Sequence, residues 1–242
     1  LLKNLCQIIK YCFQEEIKMY IELSYKFEEN MPIYPGSPVE EIIPITRMKQ
    51  KDPSNTTSFK HFIHNGTHVD APFHFYDKGK TIDQISIENF VYKNPLIIHK
   101  EMNKSELLKT EDFLLYEESL KTADILLFYT GYCKKRNKPA IYANDFPAIS
   151  EEAAKFIRNE LLNIKAVAID VLSIESAVLG PKENFKVHKT LLDGDLYDTR
   201  PLLIFEDVNI GAVLGKNIKK IYAFPLRLTG LDGSPVNIVA EI

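Results

Sequence analysis

His64-Asn65-Gly66-Thr67-His68-Val69-Asp70-Ala71-Pro72-Phe73-His74 places three imidazoles and one carboxylate at even-numbered positions, in a chain with six histidines altogether. Histidine and aspartate are the neutral nitrogen and anionic oxygen donors that a borderline divalent cation such as zinc or manganese takes. The run does not read as a helix, because Gly66, Thr67, Val69 and Pro72 each disfavour a helix interior. An extended chain alternates its side chains, so His64, His68, Asp70 and His74 project from one face. Held straight, ten residues at about 3.3 Å each would separate the outermost donors by roughly 33 Å, too far for one ion. The run must therefore bend. Gly66 tolerates positive φ and Pro72 ends a ladder, so the bends are expected there. This reading groups His64, His68 and Asp70 on one ion, with His74 beyond the bend and Asp70 able to bridge to a second ion. His61, out of phase beside Phe62, reads as a structural histidine.

Composition bounds what surrounds such a site. A chain of 242 residues suffices for one large domain, and no linker, internal repeat or low-complexity stretch divides it. The net charge of -3 is well mixed, without a basic stripe, so nucleic acid is not an expected partner. Cys6, Cys12 and Cys133 are few and widely spaced, as free thiols of a reducing compartment are, which makes a cytoplasmic location the expectation. Leu1, Leu5, Ile8, Ile9, Cys12 and Phe13 form a helical stripe, read as an N-terminal helical extension over 1–19. That segment carries charges and lacks a small-residue cleavage site, so it is not read as a signal peptide. No run has the length of a bilayer span, and no membrane partner is expected.

Stretches rich in Ile, Val, Phe and Tyr place strands near 20–27, 40–47, 56–64, 95–100, 123–130, 166–171, 202–206, 219–226 and 236–241. Helices are expected over 111–120 after Thr110 and over 151–162 after Ser150. In the second, Glu151 and Glu152 suit the helix dipole, and Ala154, Ile157 and Leu161 share an apolar face. Residues 82–90 read as short turns. Strands outnumber helices and no Gly-rich phosphate loop occurs, which argues against a doubly wound nucleotide fold.

Residues 64–74 resemble, at every defined place, the signature His-x-Gly-Thr/Ala-His-x-Asp-x-Pro-x-His of the metal-dependent cyclase or kynurenine formamidase-like hydrolases, which include the isatin hydrolases. The resemblance extends from about residue 20 to the C-terminus. It takes in Ile21-Glu22-Leu23-Ser24, Met31-Pro32-Ile33-Tyr34-Pro35-Gly36, Tyr129-Thr130-Gly131, Ile169-Asp170-Val171-Leu172-Ser173, His188, Ile204-Phe205-Glu206 and the closing run Pro225 to Pro235. It implies a single α/β domain over 20–242 of the swivelling β/β/α type, a barrel-like, mostly β layer flanked by helices. It implies one or two divalent ions, zinc or alternatively manganese, with His64, His68 and Asp70 on one and Asp70, His74 and Glu206 on the other. It makes His188 the catalytic histidine, near the ions but not bound to them. By itself, Glu206 closes the apolar run 202–205 and should emerge at a strand end, whereas His188 sits in a polar stretch and would read as exposed.

The chemistry so implied is hydrolysis of a small amide, a formamide such as N-formylkynurenine or a cyclic amide such as isatin. A bound ion lowers the pKa of water from about 15.7 to near 7. His188, with an ordinary pKa of about 6.5, hands a proton to the departing nitrogen. Lactone hydrolysis would use the same site, and a metal-binding sensor or subunit without catalysis is the alternative from another class. Tyr34 and Phe73, with Phe75 and Tyr76, are candidates to line an aromatic substrate pocket. Tyr34 and Ser37 stand where kynurenine formamidases carry tryptophan and aspartate, and Asn237 where relatives carry arginine. The family's habit makes a homodimer or homotetramer the expected assembly.

Overall fold

The computed structural model describes residues 19–242. The N-terminal helical stripe, with Cys6 and Cys12, lies outside the described residues. In chain order the strands are β1 (Tyr20–Glu22), β2 (Glu41–Thr46), β3 (Thr56–Lys60), β4 (His68–Asp70), β5 (Val91–Tyr92), β6 (Pro95–His99), β7 (Leu107–Leu108), β8 (Ile125–Tyr129), β9 (Ala148–Ile149), β10 (Ala166–Ile169), β11 (Leu203–Glu206), β12 (Lys220–Pro225) and β13 (Gly233–Glu241). The main sheet runs β5-β12-β13-β4-β11-β10-β8-β6, with β1 added alongside β13. Strands β6, β8, β10 and β11 are mutually parallel, whereas β4, β13, β12 and β5 pair antiparallel.

The two strands at the ends of this order, β5 and β6, are consecutive in the chain and separated only by Lys93 and Asn94. The sheet must therefore curl until its edges approach, and it forms a nearly closed, barrel-like layer in a single domain. Asp124, just ahead of β8, clamps the junction by accepting from the backbone N–H of Lys93 (2.8 Å) and Asn94 (2.9 Å). Alternation along each strand then separates two cores. On β8, Ile125, Leu127 and Tyr129 face the barrel interior together with Val69, Phe205 and Ile238. Leu126 and Phe128 face outward, onto a layer that includes Ile157 and Leu191 from flanking helices. Burial on both faces is why the parallel strands read as near-continuous apolar runs.

Few helices flank the barrel, and two of them matter to the site. The helix Glu151–Glu160 begins where expected, with Ser150 Oγ accepting from Ala153 N at 3.1 Å, and buries Ala153, Ala154, Ile157 and Arg158. The helix Lys186–Leu192 was not foreseen. The segment expected as a helix over 111–120 is a 3-10 turn at Thr110–Tyr116, followed by one α turn at Glu117–Leu120. The expected strand over 56–64 stops at Lys60, and residues 61–67 turn so that β4 can enter the sheet. Among the described residues no helix is long and apolar enough to cross a membrane.

Candidate metal centre

Strand β4 is three residues long and lies inside the sheet, between β11 and β13. Its register sets His68 opposite Glu206 and Pro235, and Asp70 opposite Ile204 and Gly233. Because Val69 points into the barrel, His68 and Asp70 must point together to the other face, and Glu206, directly across from His68, points with them. Gly233 permits the close approach of β13, since a Cβ there would come within 2.6 Å of the Val69 carbonyl oxygen. Both bends lie where expected: Gly66 has φ +67, and Pro72 opens the 3-10 turn Pro72–His74.

The donors form linked groups. His64, His68 and Asp70 converge within 4.8 Å of one another, and so do Asp70, His188 and Glu206, with Asp70 common to both. His64 Nδ1 lies 2.8 Å and His68 Nε2 3.3 Å from Asp70 Oδ1. His188 Nε2 lies 3.8 Å from Asp70 Oδ2 and 3.4 Å from Glu206 Oε1. His68 donates from Nδ1 to the Gly66 carbonyl (2.9 Å), and His188 Nδ1 meets Glu175 at 2.7 Å. Each ring thereby turns its Nε2 toward the carboxylates, the arrangement expected of a metal-bound imidazole oriented by an outer partner. His68 Nε2 and Asp70 Oδ2 are buried without a hydrogen-bond partner, which a bound cation would supply. These residues fit a divalent ion.

The structure places two further histidines of the sequence reading as follows. His74 converges with His64 and Asp232. The turn after Pro72 carries its ring onto His64, with centroids 3.9 Å apart, and its Nδ1 to Asp232 at 3.1 Å. His188 is not exposed. The helix Lys186–Leu192 buries it to 5 % exposure and brings it to the Asp70 and Glu206 carboxylates. The tight turn puts His74 and Phe75, but not Phe73, in the wall of the pocket above the donors. That pocket, about 210 Å³, is lined by Tyr34, Phe62, Phe75, Leu172 and Phe185 as well as His64, His74, His188 and Glu206. His61 stands apart from the donor groups, paired with Glu40 at 3.1 Å.

Glu175 and Asp232 complete the constellation and were not singled out from sequence. Asp232 bridges His64 Nε2 (2.7 Å) and His74 Nδ1 (3.1 Å). Its place in the closing Leu-Asp-Gly-Ser-Pro run was the only signal. Charge within this cluster is tightly balanced. Burial opposes a charge on His64, but hydrogen bonds to Asp232 and Asp70 outweigh it and push the imidazole up to about 10. Burial is likewise overcome at His188 by Glu175 and Glu206, again up to about 10. Asp70 is held well below the usual carboxylate range, since the neighbouring histidines overcome its burial. Burial pushes the Tyr34 phenol up, and Glu206 and Glu175 add to the shift.

Among curated proteins the chain is 28% identical over 220 residues to a kynurenine formamidase of Bacillus cereus, covering 91% of this chain and 96% of that one. Among solved structures it is similar to isatin hydrolase A from Labrenzia aggregata bound to benzyl benzoate, with a TM-score of 0.79 at 19% identity and 99% of each chain covered. Isatin hydrolase A from Ralstonia solanacearum matches with a TM-score of 0.74 at 18% identity, over 100% of this chain and 97% of that one. A family model described as a putative cyclase matches residues 21–176, and with that the chain belongs to the cyclase family.

Proposed function

We propose that this chain is a metal-dependent amidohydrolase that cleaves a C–N bond other than a peptide bond in a small amide, a formamide or a cyclic amide. The observation that carries the reading is the pair of unpartnered buried atoms, His68 Nε2 and Asp70 Oδ2, at the junction of two convergent donor groups. His64, His68 and Asp70 would hold one ion, and Asp70, His188 and Glu206 a second, zinc or manganese. When bound, such ions supply a hydroxide-strength nucleophile at neutral pH and polarise a carbonyl.

The chain's own residues do the rest. His74, fixed at Nδ1 by Asp232, is left with Nε2 to hand a proton to the departing nitrogen. Glu175 holds the His188 ring, and Ser173 Oγ and Ile174 N donate to Glu206 Oε1 at 3.1 and 2.6 Å, fixing that carboxylate. Tyr34, Phe62, Phe75 and Phe185 form an aromatic wall of a size for one ring system, which exclude water and orient a flat substrate. N-formylkynurenine and isatin are the named candidates. Hydrolysis of both, with and without chelator and with zinc or manganese added back, tests the reading. Chelator-sensitive release of product supports it. No chelator-sensitive turnover of either compound, in protein shown to carry metal, would leave a metal-binding protein without hydrolytic activity.

The few, widely spaced cysteines favour a cytoplasmic location, and the assembly proposed is a homodimer or homotetramer. Its support is the hairpin β2–β3, which exposes Ile43, Ile45 and Phe59 by 42, 61 and 54%. A two-stranded hairpin is marginal alone, and such side chains are ordinarily covered. Light scattering on the purified chain reads the assembly directly, and a monomer at all concentrations would remove this part of the proposal.

A further inference from the structure

A second cavity, about 340 Å³, shares none of its lining residues with the histidine pocket. Its apolar wall is Pro72, Ile85, Pro201 and Leu203, and Lys80, Lys165 and Arg200 stand around it. In a chain of net charge -3 these cations are a local concentration against the overall balance. The Lys80 and Lys165 ammonium groups have no partner among the described residues. Arg200 Nη2 donates to the carbonyls of Asn163 (3.2 Å) and Ile164 (2.8 Å), which fixes the guanidinium and leaves Nε and Nη1 without an acceptor. Lys78, also in the wall, is different: Asp195 takes it at 2.8 Å and holds the Tyr76 hydroxyl at 2.7 Å, clasping the two loops that flank the cavity.

Three cations without a carboxylate partner among the described residues suit an anion, and the apolar wall suits a body behind it. We propose that this cavity binds a small carboxylate carrying a single ring or short apolar chain, at a site separate from the metal centre. Inorganic phosphate would answer the charges but leave the wall unused. The site is mechanically close to the centre, because the Lys80 carbonyl accepts from Phe73 N at 3.2 Å and Pro72 belongs to both the wall and the turn that carries His74. The proposal rests on this cavity alone and not on the amide-hydrolase reading.

Benzoate binding to the full chain, measured by calorimetry, tests it. Lys80→Gln and Lys165→Gln remove cations that hold nothing in the fold, so thermal stability should stay unchanged while benzoate affinity falls about tenfold in each, the loss of one charged hydrogen bond. Phe75→Ala, in the wall of the histidine pocket, should leave benzoate affinity as it is. Benzyl alcohol, with the ring but no charge, should bind at least about tenfold more weakly than benzoate. Benzoate affinity that survives both lysine substitutions, or that is lost only in Phe75→Ala, overturns the proposal. Phosphate binding as tightly as benzoate overturns the apolar half of it.

Discussion

Glu175 accepts from three donors at once, the backbone N–H groups of Val187 (3.1 Å) and His188 (3.2 Å) and the His188 ring (2.7 Å). It therefore fixes the His188 ring, which on the proposed reading is a metal ligand. Glu175→Gln should weaken metal binding by about 10–100-fold, as loss of an outer partner typically does, and metal titration of the purified variant measures it. Asp232→Asn should differ by acting at two points, lowering kcat through His74 and weakening metal binding at the His64–His68–Asp70 group, because Asp232 holds both rings; kinetics and elemental analysis read the two effects. The contrast shows what was legible. The spacing of His64, His68 and Asp70 and the strand-end position of Glu206 could be read along the chain, because alternation and termination are local properties. Glu175 and Asp232 act through partners 13 and 168 residues away, and no local pattern marks such pairs. Cys133 yields a prediction of another kind. Burial, with the charge and hydrogen bond of Asp170, pushes its thiol up. The unfolded thiol titrates near 8.5, so above about that pH the unfolded chain has lost a proton that the folded chain keeps, and stability falls as pH rises. Urea midpoints at pH 7.5 and 9.5 should show the wild type losing up to about 1 kcal/mol more than Cys133→Ser over this interval.

Among the elements, the helix Lys186–Leu192 decides the second donor group and was the least legible. It has seven residues, too few for a periodic stripe, and it starts after Asn184 and Phe185, both at positive φ (58 and 53). Nothing in Lys-Val-His-Lys announces burial. What holds it is Arg158 on the neighbouring helix. Its guanidinium donates to the carbonyls of Thr190 (3.2 Å), Leu191 (2.7 Å), Asp193 (3.0 Å) and Thr199 (2.7 Å). These include carbonyls at the helix end that have no intrahelical donor. Arg158→Met keeps the apolar stem but strands those oxygens, and should cost about 3 kcal/mol or more, read as a lowered urea midpoint at unchanged m-value. By contrast the helix over 151–160 was legible from its cap and apolar face, because Ser150 and Ala154-Ile157 are three or four residues apart and speak for themselves.

At the scale of the whole molecule, the donors come from residues 64–70, 188 and 206, which lie on separate strands, turns and a helix. An ion bound there would tie together parts of the chain that the unfolded state keeps far apart, and would favour the native state. Chelation should lower the stability of the loaded protein by RT ln(1 + [M]/Kd), about 2.7 kcal/mol at a metal concentration 100-fold above Kd, and calorimetric melting with and without chelator checks this. An unchanged melting temperature would mean that the ligands are not bridged by metal in solution. From the residues alone the barrel was legible as a count of strands, and its barrel-like shape came from the family resemblance. Its closure depends on the β5–β6 junction and the Asp124 clamp, and neither has a pattern of its own.

Strand β4 is flanked by β11 on one side and by Gly233, Ser234 and Pro235 of β13 on the other. On a ribosome, the histidines would emerge long before the neighbour that presses them into place. Until Gly233–Pro235 follow, the nascent chain therefore carries these side chains without a frame, and capture of a cation would be deferred until β13 has paired beside them.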